Sequence, residues 1–261
     1  MKRLAWLLAP VLLAAAACGG DPPRTQAAQT STGPEEALSG RVTVLAAASL
    51  TEAFTELGRA FETAHPGVKV TFSFGASSAL AQQALGGAPA DLLATADEAS
   101  LARVMDAGVA SDPRVLARNR LTILVEKGNP KGIAALADLA DPALVVVLCA
   151  PEVPCGRFGA QVLDKAGVAV TPRSLEENVK GVVSKVTLGE ADAGLVYVTD
   201  ARAAGARAQA VPIPDEENVI AVHPVGLLRQ AGNPEAARAF RNFLLSPAGQ
   251  ATLARFGFLP A

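Results

Sequence analysis

From Arg41 onward the chain alternates between two hydrophobic rhythms. Arg41-Val-Thr-Val-Leu45 is short, β-branched and apolar, the composition of a strand covered on both faces of a parallel sheet. Leu50, Ala53, Phe54, Leu57 and Phe61 then recur at helical spacing and make one apolar stripe, which stops at His65-Pro-Gly67. Val68–Phe74 alternates as a second strand, and Ala79–Leu85 follows as a helix closed by Gly86-Gly87. Ala90–Ala96 reads as a third strand with a helix after it, and Asn119–Val125 as a long strand leading into Glu126-Lys-Gly-Asn-Pro130. The second half repeats the alternation. Leu144–Leu148 is a strand, and a helix carrying Phe158, Val162 and Leu163 stops at Gly167. Asn178 caps a valine-faced helix over 179–186, and Gly194–Val198 is the next strand. Asn218–Val225 reads as a returning strand, and Ala236–Leu245 and Ala248–Phe256 close the chain as helices. Alternation of this kind predicts an α/β protein with covered sheets.

Two of the strand-to-helix joints share a chemistry. Ala46-Ala-Ala-Ser-Leu-Thr51 and Gly75-Ala-Ser-Ser78 consist of small residues and hydroxyls, which leave the N–H groups of the first helical turn open. Ser49-Leu-Thr-Glu52 fits a capping box, and Ser77 or Ser78 fits an N-cap. The same residues fit anion seats at the carboxyl ends of strands, where helix dipoles favour negative charge. Both roles stand open at this level. Asp91 reads as a structural residue at a turn or strand end.

Composition narrows the classes. A chain of 261 residues, 50% apolar, has material for about two domains and a sizeable core. With 23 basic and 25 acidic residues it carries no basic stripe, so nucleic acid is not an expected partner. Lys2 and Arg3 precede an apolar run from Leu4 to Ala17, which has the shape of a secretory signal and is too short to span a bilayer. Its end, Ala15-Ala-Ala-Cys18, resembles the lipobox of bacterial lipoproteins, with alanine at position 15 where leucine is usual. That resemblance implies a lipid on Cys18. Residues 19–40 are rich in Pro, Gly, Thr, Ser and Gln, a tether reaching about 25 Å root-mean-square. Cys149 and Cys155 remain, an even pair in an oxidising compartment, and a disulfide is expected. The two histidines, His65 and His223, read as element-boundary residues, each followed by proline. Neither lies in a nucleophile or metal-ligand motif, so an enzyme is not expected.

The ordered motifs bring in a family. Ala-Ala-Ala-Ser-Leu-Thr at 46–51, Ala-Ser-Ser-Ala-Leu-Ala at 76–81 and Gly-Ala-Pro-Ala-Asp-Leu at 87–92 resemble the periplasmic molybdate-binding proteins of ABC importers. So do Val-Pro-Cys-Gly at 153–156, Gly-Leu-Val-Tyr at 194–197 and Arg-Phe-Gly-Phe at 255–258. The resemblance implies a type II periplasmic-binding-protein fold, two α/β lobes with a ligand cleft between them. It divides the chain into lobe 1 over 41–122, lobe 2 over 123–217 and a return to lobe 1 over 218–261. It also implies a molybdate or tungstate ligand held by the hydroxyl and N–H groups of Ser49 and Ser77, the N–H groups of Cys155 and Val179, and the hydroxyl of Tyr197. The family has alanine where Cys155 stands, and a backbone N–H survives that change. No cofactor and no direct metal ligand are implied. The implied protein is a monomer, exported and either anchored on the outer face of the cytoplasmic membrane or periplasmic, that delivers its ligand to a permease.

The chemistry is consistent with that set. Molybdate and tungstate are dianions whose oxygens only accept hydrogen bonds, so they want a ring of donors and no carboxylate. Phosphate keeps a proton at neutral pH and would want an acceptor. Sulfate is also a proton-free tetrahedral dianion, and a sulfate receptor is the alternative.

Overall fold

The computed structural model describes residues 37–261. The signal segment 1–18 with Cys18, and the tether as far as residue 36, lie outside the described residues. Three parallel strands come first. β1 (Gly40–Ala47) pairs β2 (Val68–Gly75) on one side and β3 (Leu92–Ala94) on the other. Both faces of β1 are covered, which is why Val42, Val44, Leu45 and Ala46 are all buried. Helices α1 (Thr51–Ala64), α2 (Ser77–Leu85) and α3 (Glu98–Asp106) follow these strands in turn.

β4 (Ala110–Glu126) is far longer than the Asn119–Val125 strand expected from sequence. Its first part, through Arg120, runs antiparallel to β9 (Ile220–Leu228), which in turn pairs β3. From Leu121 to Val125 it pairs β7 (Ala193–Tyr197), and on its other side β8 (Ala208–Pro212). One strand therefore belongs to two pairing sets. The second set is completed by β5 (Val146–Cys149) between β6 (Ser174–Glu176) and β7, all parallel. The sequence reading had no β6 or β8, because both are largely uncovered and lack the apolar run that marks the equally short β3 and β7.

Helices α4 (Pro154–Ala166), α5 (Val179–Thr187) and α6 (Val198–Ala204) follow β5, β6 and β7, and α7 (Pro234–Leu245) and α8 (Pro247–Phe256) return to the first set. An aromatic cluster locks α1 in place. Phe61 meets Phe240 of α7 at 5.1 Å between ring centroids, and Phe54 meets Phe72 of β2 at 5.9 Å. Each buried phenylalanine of this kind contributes about 1.5–3 kcal/mol. Gly58 belongs to the same packing, since a Cβ there would sit 2.7 Å from the Phe72 ring. No described helix is long and apolar enough to cross a membrane.

Candidate functional site

Within each parallel trio the strands end side by side. Ala47 lies opposite Gly75 and Ala46 opposite Ala94, so the ends of β1, β2 and β3 are neighbours. β5, β6 and β7 are arranged in the same way. The six strand-to-helix joints that follow these strands line one small cavity of about 20 Å³. The location matches the general rule that open α/β sheets present ligands at the carboxyl ends of strands. Ser49, Ser77, Cys155, Val179 and Tyr197 all line it, and the lining contains no Lys, Arg, Asp or Glu.

Local structure explains what each contributes. Ala76 is the N-cap of α2, not Ser77 or Ser78, and its side chain cannot cap. Ser77 instead accepts a hydrogen bond from the Ala96 N–H at 2.9 Å, tying the β2–α2 joint to the end of β3. That contact occupies a lone pair of the hydroxyl and leaves its hydrogen free to donate. The capping box at Ser49 is likewise absent. Ala48–Leu50 forms a single 3-10 turn, Leu50 precedes α1 without a side-chain cap, and Thr51 Oγ1 donates to the Ala48 carbonyl at 2.7 Å. Ser49 Oγ lies 3.1 Å from His223 Nε2.

On the opposite wall, α4 and α5 present their first turns. Asn178 caps α5, its side-chain oxygen accepting from the N–H groups of Lys180 and Gly181. The Val179 N–H, one place earlier, has no acceptor among the described residues, nor does that of Cys155 in the first turn of α4. Such orphan donors are what a helix start offers an anion. Cys155 is joined to Cys149 at the end of β5, closing the loop of 150–154. Gly156 is obligatory there, because a Cβ would fall 1.9 Å from the Ala150 carbonyl oxygen. Tyr197 ends β7 fully buried, and its hydroxyl has no partner among the described residues. Burial, reinforced by Asp200 and Asp97, holds its pKa well above the ordinary value, so it is a neutral donor.

The nearest cations are occupied. Lys180 sits 2.8 Å from Glu52 and 2.9 Å from Asp200. Burial alone would depress Lys180, but the two carboxylates outweigh it and its pKa is raised. Asp200 is pushed up to about 6 by burial, against the pull of Lys180. Arg157 of α4 pairs Asp97, the N-cap of α3. The Lys180–Glu52 and Arg157–Asp97 pairs join helices of the second pairing set to the first. Any anion seated here meets dipoles and neutral donors before it meets a free positive charge.

His223 is the residue the sequence reading misplaced. It sits inside β9 and is fully buried, not at an element boundary. Tyr197 and Phe258 pack edge-on against its ring, at 5.6 and 5.5 Å between centroids. Its alternation with the buried Ala221 and Val225 is the signal that could have placed it in the core. The contact with Ser49 has the outline of a nucleophile–base pair. His223 Nδ1, however, faces the Ala221 carbonyl oxygen at 3.4 Å, where a hydrolase would place a carboxylate. Burial drops the His223 pKa to about 4.

Residues 42–259 match the family described as bacterial extracellular solute-binding protein. The chain belongs to that family. Among relatives of this solute-binding protein, the molybdate-binding protein ModA of Mycobacterium tuberculosis H37Rv is 40% identical over 243 residues, covering 93% of this chain and 91% of its own. A solved structure from Clostridium difficile, the substrate binding domain of a putative molybdenum ABC transporter, is 26% identical with a TM-score of 0.64, covering 85% of this chain and 99% of that one. The sulfate-binding protein SubI of Mycobacterium tuberculosis H37Rv has a TM-score of 0.77 at 24% identity, over 85% of this chain and 87% of that one, and speaks to the fold alone.

Proposed function

We propose that this chain is an extracytoplasmic receptor that binds molybdate, and tungstate by the same contacts, and delivers it to an ABC importer. The observation that carries the reading is the buried Tyr197 hydroxyl without a partner, lining a cavity with the unpaired N–H groups of Cys155 and Val179 and the hydroxyl of Ser77. Every one of these groups can donate, and no carboxylate lines the cavity to repel a dianion or receive a proton. The 40% identity to a protein named for molybdate binding supports the choice of ligand.

In this reading Ser49, Ser77, Cys155, Val179 and Tyr197 form the donor shell, and molybdenum itself touches no protein atom. Residues 41–122 with 218–261 make one lobe and 123–217 the other. The lobes close on the ligand by hinge motion at the two strand crossings, with the Arg157–Asp97 and Lys180–Glu52 pairs formed in the closed state. The receptor acts as a monomer, held by lipid on Cys18 at the outer face of the cytoplasmic membrane, and docks on the importer's permease.

Sulfate is the second reading, because it too is a proton-free tetrahedral dianion that only accepts hydrogen bonds. The donors suit both ions, so cavity size is what separates them. Calorimetric titration of the chain with molybdate, with excess sulfate as competitor, tests both. Tight one-to-one binding that sulfate does not displace is expected. Binding of sulfate with no molybdate heat would change the ligand and keep the site, and silence with both would end the receptor reading.

A further inference from the structure

The Ser49 hydroxyl has one hydrogen, and two acceptors compete for it. Within the protein it faces His223 Nε2 at 3.1 Å, and on the cavity side it would face an anion oxygen. His223 is neutral at physiological pH, so its ring carries one N–H. A contact between Nδ1 and the Ala221 carbonyl oxygen is a hydrogen bond only when Nδ1 holds that hydrogen. Nε2 is then a bare acceptor, and the Ser49 O–H must point at it and away from the cavity. Ser77 has no such conflict, because a backbone N–H donates to it and leaves its hydrogen outward.

We propose that His223 is a positioning residue for Ser49: when the anion binds, the imidazole hydrogen stands on Nε2, which donates to Ser49 Oγ and turns the serine O–H toward the ligand. The inference rests on the receptor reading above. Its physical basis is the asymmetry of the two ring contacts. The bond given up, Nδ1 to Ala221, is long at 3.4 Å, whereas the bond gained is a hydroxyl-to-anion bond, roughly twice as strong as a neutral one. Leaving Nε2 bare with the serine hydrogen turned away would set two lone pairs against each other at 3.1 Å. Among the described residues nothing else near the ring supplies the hydrogen. Tyr197 and Phe258 meet it edge-on, and Asp97, the carboxylate whose field reaches the ring, is paired with Arg157.

The test is imidazole nitrogen NMR on the whole chain, labelled with nitrogen-15 histidine, free and saturated with molybdate. The chain has two histidines, and His65→Gln assigns the remaining signals to His223. Nε2 is expected to pass from the unprotonated to the protonated range as calorimetry reports saturation. Saturated binding with Nε2 still unprotonated overturns the inference and leaves the receptor reading intact. Absence of molybdate binding in the unaltered chain overturns both. His223→Phe, which fills the space without a donor, should bind about tenfold more weakly, and His223→Gln, whose amide can donate to Ser49, should recover most of that loss. Equal affinity in His223→Phe and the parent also overturns the inference; should that variant not fold, the NMR result on the parent decides.

Discussion

Replacing Tyr197 by phenylalanine pulls stability and affinity in opposite directions. The ring is fully buried against His223, and phenylalanine keeps that packing. Only the hydroxyl is lost, and it has no partner among the described residues. A buried donor left unmade is penalised by about 1–3 kcal/mol, so its removal should stabilise the protein in this closed arrangement, without ligand, by about 1 kcal/mol at the low end of that range. For a domain of this size that is an increase in melting temperature of about 2–4 °C. With the anion present the sign reverses. A hydrogen bond to a charged acceptor is worth about 1.5–3 kcal/mol, which converts to roughly a tenfold to hundredfold loss of molybdate affinity. Differential scanning calorimetry without ligand and isothermal titration with molybdate read the two quantities separately. A lower melting temperature would show that the hydroxyl is already satisfied in the free protein, and unchanged affinity would remove Tyr197 from the donor shell. Either result refutes the reasoning.

The double variant Ser49→Ala/Ser77→Ala should lose at least a hundredfold in molybdate affinity by titration while circular dichroism shows it folded; wild-type affinity would dismiss both serines from the site. Reducing or replacing the Cys149–Cys155 pair, six residues apart, should lower stability by about 2 kcal/mol in urea unfolding, yet leave affinity within a fewfold because the donor is the backbone N–H of Cys155. Acid titration separates two buried groups. His223 falls from 6.5 to about 4 on folding, so its contribution is full above pH 6.5 and is lost, by about 3 kcal/mol, as pH drops to 4. Asp200 rises from 3.8 to about 6, so its contribution is full below pH 3.8 and is lost by a similar amount as pH rises to 6. The two oppose each other in the parent. His223→Phe should therefore gain stability on acidification from pH 6.5 to 4 and Asp200→Asn should lose it, as read from urea midpoints across that window; parallel curves for the two variants would contradict the assignment.

What the sequence alone determines here is whatever depends on neighbours along the chain. The apolar stripe of α1, the valine run of β1 and the stops at His65-Pro-Gly67 and Gly167 follow from local sterics and periodicity, and they placed the first two strand-to-helix joints within two residues. Asn178 was legible as a cap for the same reason, since its acceptors' donors lie two and three residues on. The five residues named from motif order line one cavity because each belongs to a joint that follows a parallel strand, and parallel strands in register bring those joints together. The hydroxyl partners were not legible. Ser49 fits a capping box on local grounds, but its hydrogen-bond partner lies 174 residues away on β9, and the partner of Ser77 lies 19 residues away beyond β3. Local pattern also gave no sign that β4 would run through two pairing sets, because strand length is set by the partners available on each side. Tertiary structure alone decided which way each donor points, since a hydroxyl's hydrogen goes to whichever acceptor the fold brings within reach.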